Sequence, residues 1–449
     1  MQENPLSWSP GRWTEWLGEQ GIRRFYCAWD ADAGRVRTSH AVLEPVAAFL
    51  AGDRRDFRGH EGLFFEVSPS TGALMGVFVH DTHRGQAQGG TRYWEYATVE
   101  DYLRDGLRLA VGMTQKNALA GLWWGGGKGV IARNSGDARE EPERRAALFR
   151  DYGRLVSSLG GAYVAAEDVG TTPADLAHIF EATRFTTCIP PEVGGSGNPS
   201  AATAAGVVRG MEAALGFRGE GSLEGKTVAV QGLGHVAEAL VELLLERGVR
   251  RVVASELREG RLEAVASRIP DPRLALRRAA PGDASLLAEE CDLLAPCATG
   301  AVLGPATIPE LRCRIVCGAA NNQLEDAARD DRALWERGIT YVPDFLVNRM
   351  GIVNCANEQC GVMADDPWIL RHLGDDWEHS IYRTTARVLR LAEERGESPG
   401  AVAVELADEL AREPHPVFGH RGRQIIDRVL RGGWAGGPVP VDAGGGASC

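Results

Sequence analysis

Residues 226–237 read Lys-Thr-Val-Ala-Val-Gln-Gly-Leu-Gly-His-Val-Ala. The first half, Lys226 to Gln231, is short, apolar and β-branched, which predicts a strand. Gly232, Leu233 and Gly234 predict a tight turn, and from Ala237 to Leu245 the apolar residues recur at helical spacing. Strand, glycine turn and helix in this order make the phosphate-binding corner of a dinucleotide fold. Gly232 and Gly234 let the backbone approach a pyrophosphate, and the helix start at His235 and Val236 attracts its charge. A second strand over Arg251–Ala254 leads to Glu256, at the distance where a carboxylate meets the adenosine ribose hydroxyls. That carboxylate would repel a 2′-phosphate, so NAD is expected rather than NADP, with Arg258 and Arg261 nearby as the counterweight. Further strands are expected at Leu293–Ala295, Ile315–Cys317 and Thr340–Val342, completing an alternating β/α pattern.

Outward from this corner, the chain of 449 residues is long for one core and suggests two domains. A net charge of −12 argues against a nucleic-acid partner, since phosphate binding needs a basic face. The N-terminus lacks a basic segment followed by an apolar core, and no apolar run approaches the roughly eighteen residues of a membrane helix. A cytoplasmic enzyme with a small-molecule substrate is therefore expected. The nine cysteines include no Cys-x-x-Cys pair, so reduced, buried thiols and no metal site are expected.

The N-terminal part carries strands at Gly62–Val67 and Ala73–Val79. A helix through Leu103, Leu107, Ala110, Val111 and Thr114 follows, placing Lys116 near its end. Polar residues 134–145 predict a solvated loop running into the next helix. Lys128 follows three glycines, Gly125 to Gly127, which are costly in a strand or helix interior unless backbone must approach a ligand or take unusual dihedrals. Gly129 after Lys128 and Leu122 before it exclude a P-loop. Two lysines in one cleft would depress each other's pKa, and a neutral amine near physiological pH is what a general base requires. A lone lysine pair is more often solvated surface. Ala162–Ala166 predicts a strand ending at Glu167 and Asp168, where a carboxylate can point into a cleft or simply cap a turn.

Met-Thr-Gln-Lys-Asn around Lys116, Gly-Gly-Gly-Lys ending at Lys128 and Ala-Glu-Asp-Val-Gly-Thr-Thr around Asp168 carry a resemblance. It continues in Gly-Asn-Pro-Ser at Gly197, the Gly232 turn, Ala-Pro-Cys-Ala at Ala295, Gly-Ala-Ala-Asn-Asn-Gln at Gly318 and Pro-Asp-Phe-Leu-Val-Asn at Pro343. Over roughly residues 80 to 432 the chain resembles the amino acid dehydrogenases acting on glutamate, leucine, phenylalanine and valine, most closely the leucine type. The resemblance implies an α/β fold of two domains: a mixed α/β substrate and oligomerisation domain over 1–198, and a Rossmann domain over 199–347. An active-site cleft between them, a hinge with C-terminal helices over 348–432 and a disordered tail over 433–449 complete the expectation. It implies reversible NAD-dependent conversion of an L-amino acid to a 2-oxo acid and ammonia by a homo-oligomer.

By the same resemblance Lys128 and Asp168 are catalytic, and Lys116 binds the substrate carboxylate. Gln88, Gly89, Gly90, Met113, Ala166, Asn348, Ile352 and Cys355 line the substrate, while Thr203, Ala298 and Asn321 join Gly232, Gly234, His235, Val236 and Glu256 around the cofactor. The chain departs from the pattern at two places. Gln88 stands where leucine-type members have an apolar residue and glutamate-type members a lysine. Arg349-Met350 stands where small residues are usual, so Arg349 is a candidate for a substrate carboxylate. With no cation at position 88, an apolar or mildly polar substrate, branched-chain or aromatic, is expected over glutamate. Residues 1 to about 45, with Trp8, Trp13 and Trp16, exceed what leucine-type relatives need. An inactive NAD-binding homologue, and a dehydrogenase for a biosynthetic amino acid such as tryptophan, are the alternatives.

Overall fold

A computed structural model describes residues 4–133, 141–358 and 360–436. Most of the expected 134–145 loop and most of the expected tail fall outside these residues; the following helix begins at Pro142, whose missing N–H costs nothing in a first turn. The chain forms two compact units. The first is Met1–Thr114, Trp123–Gly197 and Glu413–Cys449, and the second is Gln115–Leu122 and Asn198–Arg412.

Seven strands build the first unit: β1 (Arg24–Asp30), β2 (Arg35–Thr38), β3 (Gly62–Val67), β4 (Leu74–Asp81), β5 (Ala87–Trp94), β6 (Gly125–Ala132) and β7 (Tyr163–Glu167). Their order is β2-β1-β3-β4-β6-β5-β7. The β1 to β4 hairpins and the β4–β6 pair are antiparallel, whereas β5 runs parallel to β6 and β7. Central β6 is buried along its whole length, so its apolar run needs no polar alternation. Helix Val99–Leu119 lies against it, with Tyr102 donating its hydroxyl to the Val130 carbonyl at 3.0 Å.

The glycines of β6 have a different cause from the expected one. They adopt ordinary strand backbone, not left-handed dihedrals, and serve close packing. A Cβ on Gly126 would stand 2.0 Å from Thr114 Oγ1 and 2.2 Å from the Thr114 amide nitrogen, so only glycine lets this helix lie so near the strand.

The long N-terminal region is part of this core. Ser9 caps helix Pro10–Glu19, whose Trp13 is buried edge-on against Phe25 of β1. The expected tail is corrected at its start, because Trp434 is buried against Phe64 and donates its indole N–H to Ser158 at 2.9 Å. Nor is 348–432 a body of its own: residues through Arg412 belong to the second unit and those from Glu413 to the first.

In the second unit β8 (Thr227–Gln231), β9 (Arg251–Glu256), β10 (Leu274–Arg278), β11 (Leu293–Pro296), β12 (Ile315–Val316) and β13 (Thr340–Tyr341) form one sheet, ordered β10-β9-β8-β11-β12-β13. All five pairs are parallel. This is the strand order of a doubly wound dinucleotide-binding sheet, whose switch point lies between β8 and β11. Edge strand β10, with Arg277 and Arg278, carries too little apolar pattern to be read from sequence.

Cysteine state needs one correction. Cys27, Cys291, Cys297, Cys313, Cys317 and Cys360 are free, whereas Cys188 and Cys355 are disulfide-bonded. No described helix is long and apolar enough to cross a membrane.

Candidate active site

Strand alternation assembles the chemistry of the first unit. Gln88, Gly90 and Arg92 lie on one face of β5; Gly126 and Lys128 follow on β6, where Gly126 pairs with Gln88 and faces Thr114 of the helix. Ala166 pairs with Gly90, and Asp168 continues that line past the end of β7. A side chain at Gly90 would overlap Asp168 Cβ at 2.7 Å, and one at Gly89 would meet Met113 Cγ at 3.1 Å. Strand register and packing thus bring Gln88, Gly89, Gly90, Met113, Lys128, Ala166 and Asp168 near one another.

Lys128 Nζ lies 2.9 Å from Asp168 Oδ2, with the Lys128 side chain buried and that of Asp168 largely so. Asp168 also accepts from Arg92 Nε at 3.1 Å, while Arg92 Nη1 reaches Asp105 at 3.0 Å. Tyr96 donates to the same Asp105 at 2.6 Å. Burial lowers the Lys128 pKa most strongly; Asp168 works against this and Arg92 works with it, leaving the ammonium easier to deprotonate than a free lysine. Burial opposes the charge on Asp168, yet Lys128 and then Arg92 outweigh it and hold that carboxyl well below the usual range. Arg92 is a cation that assists this deprotonation. The place of Arg92 two residues after Gly90, on the same strand face, is the signal the sequence offers for it; Asp105 gives none, being one of several acids early in its helix.

Sign follows from these neighbours. Replacing Arg92 with Gln removes a group that lowers the Lys128 pKa, so the rising alkaline limb of kcat/KM should move to higher pH. A profile on wild type and variant measures this, and an unmoved or acid-shifted limb would separate Arg92 from Lys128.

Lys116 takes part in a second cluster, in the second unit. Its Nζ donates to Asn321 Oδ1 at 2.7 Å, and Asn348 Nδ2 donates to the same oxygen at 3.0 Å. Asn348 also reaches the Ala319 carbonyl at 3.1 Å, leaving its own Oδ1 buried without a partner. Within their own units, Lys128 pairs with an aspartate and Lys116 with an asparagine amide. Ile352 is half-buried in helix Met350–Glu358; Cys355, on the same helix, is disulfide-bonded and so is not the weakly polar thiol expected there. Arg349 is fully buried and donates Nη2 to the His379 carbonyl at 2.6 Å and to Thr384 at 3.2 Å. Among the described residues its Nε and Nη1 are buried without a partner, and burial pushes its pKa down to about 9.

The cofactor residues fit a dinucleotide. Gly232 has φ +88°, and a side chain there would press on Ala298 Cβ at 2.8 Å. Gly234 is the N-cap of helix His235–Glu246, with open space where its Cβ would be, and exposed His235 and half-buried Val236 form the first turn. Glu256 ends β9 and accepts from the Leu257, Arg258 and Leu233 amides at 3.0, 3.1 and 3.3 Å. Burial opposes its charge, but the Arg258 amide and guanidinium hold its carboxyl below the ordinary value. Thr203 sits in the first turn of helix Ser200–Phe217, its hydroxyl on the Pro199 carbonyl at 3.0 Å.

Comparison with known proteins agrees with this architecture. Residues 72–185 match the family model described as the Glu/Leu/Phe/Val dehydrogenase dimerisation domain, and residues 194–262 and 265–411 match the Glutamate/Leucine/Phenylalanine/Valine dehydrogenase model. Leucine dehydrogenase of Geobacillus stearothermophilus is 44% identical over 374 residues, covering 82% of this chain and 96% of its own. Valine dehydrogenase of Streptomyces coelicolor is 38% identical, covering 80% and 94%. Among solved structures, L-tryptophan dehydrogenase from Nostoc punctiforme superposes with a TM-score of 0.62 at 33% identity, covering 79% of this chain and 96% of that one.

Proposed function

Since the chain belongs to the Glu/Leu/Phe/Val dehydrogenase family and is an amino acid dehydrogenase, we infer that it oxidises an apolar L-amino acid, branched-chain or aromatic, with NAD. The amino acid, water and NAD become a 2-oxo acid, ammonium, NADH and a proton. A bound nicotinamide would supply the acceptor for the α-carbon hydride. The observation that carries this reading is the buried Lys128–Asp168 pair at 2.9 Å, on the sheet face that also bears Gln88.

Lys128, once neutral, is the base that activates water; Asp168, held ionised, exchanges a proton with the amino nitrogen. Lys116, with Asn321 and Asn348 fixing its ammonium, holds the substrate carboxylate. The glycine turn and helix start would hold the pyrophosphate, and Thr203 and Asn321 would hold the nicotinamide and its ribose. Homo-oligomerisation fits the dimerisation-domain match, and a cytoplasmic location fits the sequence.

Ionised Glu256 at the end of β9 supports NAD over NADP by repelling a 2′-phosphate. Oxidation should run better with NAD, and Glu256→Ser should narrow the gap in kcat/KM between the two cofactors. A wild-type preference for NADP would overturn the ribose assignment.

Gln88 supports a finer reading of the side chain. It is fully buried, and neither its Nε2 nor its Oε1 has a partner. An unpaired buried amide costs about 1–3 kcal/mol, which a substrate able to hydrogen-bond would recover. This favours a side chain with an N–H, such as indole, beside the aliphatic ones. A panel of leucine, valine, tryptophan and glutamate, followed by NADH absorbance with ammonia in reverse, tests both readings. Gln88→Leu should raise kcat/KM for leucine and valine and lower it for tryptophan. Efficient turnover of glutamate would reject the apolar assignment, and no response to the mutation would remove Gln88 from the pocket.

A further inference from the structure

Apart from the Lys128 site, the first unit gathers two imidazoles and a buried carboxylate. Glu61 precedes β3, His83 follows β4 by two residues, and His420 is the N-cap of helix Arg421–Arg431. Each offers one ligand atom, and the three atoms lie within 4.8 Å of one another. His420 Nε2 is 2.9 Å from Glu61 Oε1, and the two imidazole rings stack with centroids 3.8 Å apart at 24°.

The surroundings are those of ligands held in place. Asp81 Oδ2 takes the His83 Nδ1 proton at 2.9 Å, and Asp81 Oδ1 accepts the His83 amide at 2.9 Å. This fixes the tautomer that leaves His83 Nε2 with a free lone pair, the arrangement found behind metal-binding histidines. The Thr82 hydroxyl donates to Glu61 Oε2 at 2.6 Å and the Thr82 amide to Oε1 at 3.0 Å, orienting the carboxylate.

A plain ion pair accounts for less of this. Glu61 is buried, and among the described residues its ionic partner is His420, cationic only when protonated, with no arginine or lysine beside it. Protonating both stacked rings would set like charges face to face. One divalent ion answers both needs: it neutralises Glu61 and binds two neutral imidazoles. Ligand atoms around a tetrahedral ion with bonds of about 2.0–2.1 Å stand roughly 3.3 Å apart, which rotation of the two rings can reach.

We propose that Glu61, His83 and His420 bind one first-row divalent transition-metal ion, with zinc the best match to two nitrogens and one oxygen. Bound there, the ion ties together residues 359 apart in sequence and fastens the C-terminal helix to the strand ends. It stabilises the fold by mass action without entering the Lys128 chemistry.

Tag-free protein stripped with EDTA and desalted is titrated with Co²⁺, followed by its visible d–d absorption, and then challenged with Zn²⁺. The expected result is one Co²⁺ per chain, displaced by Zn²⁺, and a higher Tm with Zn²⁺. His83→Gln and His420→Gln should each abolish the absorption; circular dichroism confirms that they fold. Asp81→Asn keeps all three ligands and should weaken binding by about 10–100-fold, the effect of losing an outer carboxylate. No Co²⁺ spectrum in wild type, or a spectrum unchanged in both histidine variants, would reduce the cluster to a hydrogen-bonded ion pair and overturn the proposal.

Discussion

Lys128→Met should lower turnover by on the order of 10² to 10⁴, the range for loss of an acid or base group, while leaving NADH affinity intact. Methionine fills the same buried space between β4 and β5 without the amine, so the strand packing survives. Asp168 keeps Arg92 as a partner at 3.1 Å and stays ionised, which confines the damage to one proton-transfer group. Steady-state kinetics paired with NADH fluorescence titration separates the two quantities. Turnover within a few-fold of wild type would remove Lys128 from the mechanism, and lost NADH binding would mean that the fold, rather than the base, had been disturbed.

Gly126→Ala should be strongly destabilising. Its Cβ would stand 2.0 Å from Thr114 Oγ1, 2.2 Å from the Thr114 nitrogen and 2.5 Å from Thr114 Cα. Two of those atoms are backbone, so no rotamer relieves the overlap and the helix must lift from the sheet. The cost should be about 3 kcal/mol or more, read as a lower urea midpoint or loss of soluble protein. Gly112→Ala on the same helix, where a Cβ meets nothing within 4 Å, is the control and should be neutral or slightly stabilising. Equal behaviour of the two variants would mean that the helix does not need this close approach.

These effects also mark what sequence could and could not reveal. The β8 turn was legible because it is local: an apolar β-branched run, two glycines and a helical stripe all lie between Lys226 and Leu245. Lys128 and Asp168 were legible through their motifs, but their direct pairing needed the register of β5, β6 and β7. The cause of the three glycines lay in residues on other elements, Thr114 for Gly126, Asp81 for Gly125 and Tyr163 for Gly127, and local sequence offered only the general permissiveness of glycine. Arg92 in its role beside Lys128, Asp105 and the Lys116–Asn321 bond each depend on residues brought together from a distance. Trp434 looked like part of a Gly/Pro-rich tail because its partners, Phe64 and Ser158, stand hundreds of positions earlier. Gln88 was conspicuous in sequence as a departure, and only its burial without partners turned that departure into a constraint on substrate chemistry.

The return of the chain from Glu413 onward to the unit where it began has a consequence for biosynthesis. The ribosome delivers the seven-stranded sheet first, then all of 198–412, and only at the close the helix Arg421–Arg431 and Trp434 that bury Phe64. The later-born unit can finish folding while the earlier one still waits with an apolar face uncovered, exposed to aggregation and to chaperones. Premature termination near the end of translation would therefore injure the domain at the start, and would leave the nucleotide-binding one whole.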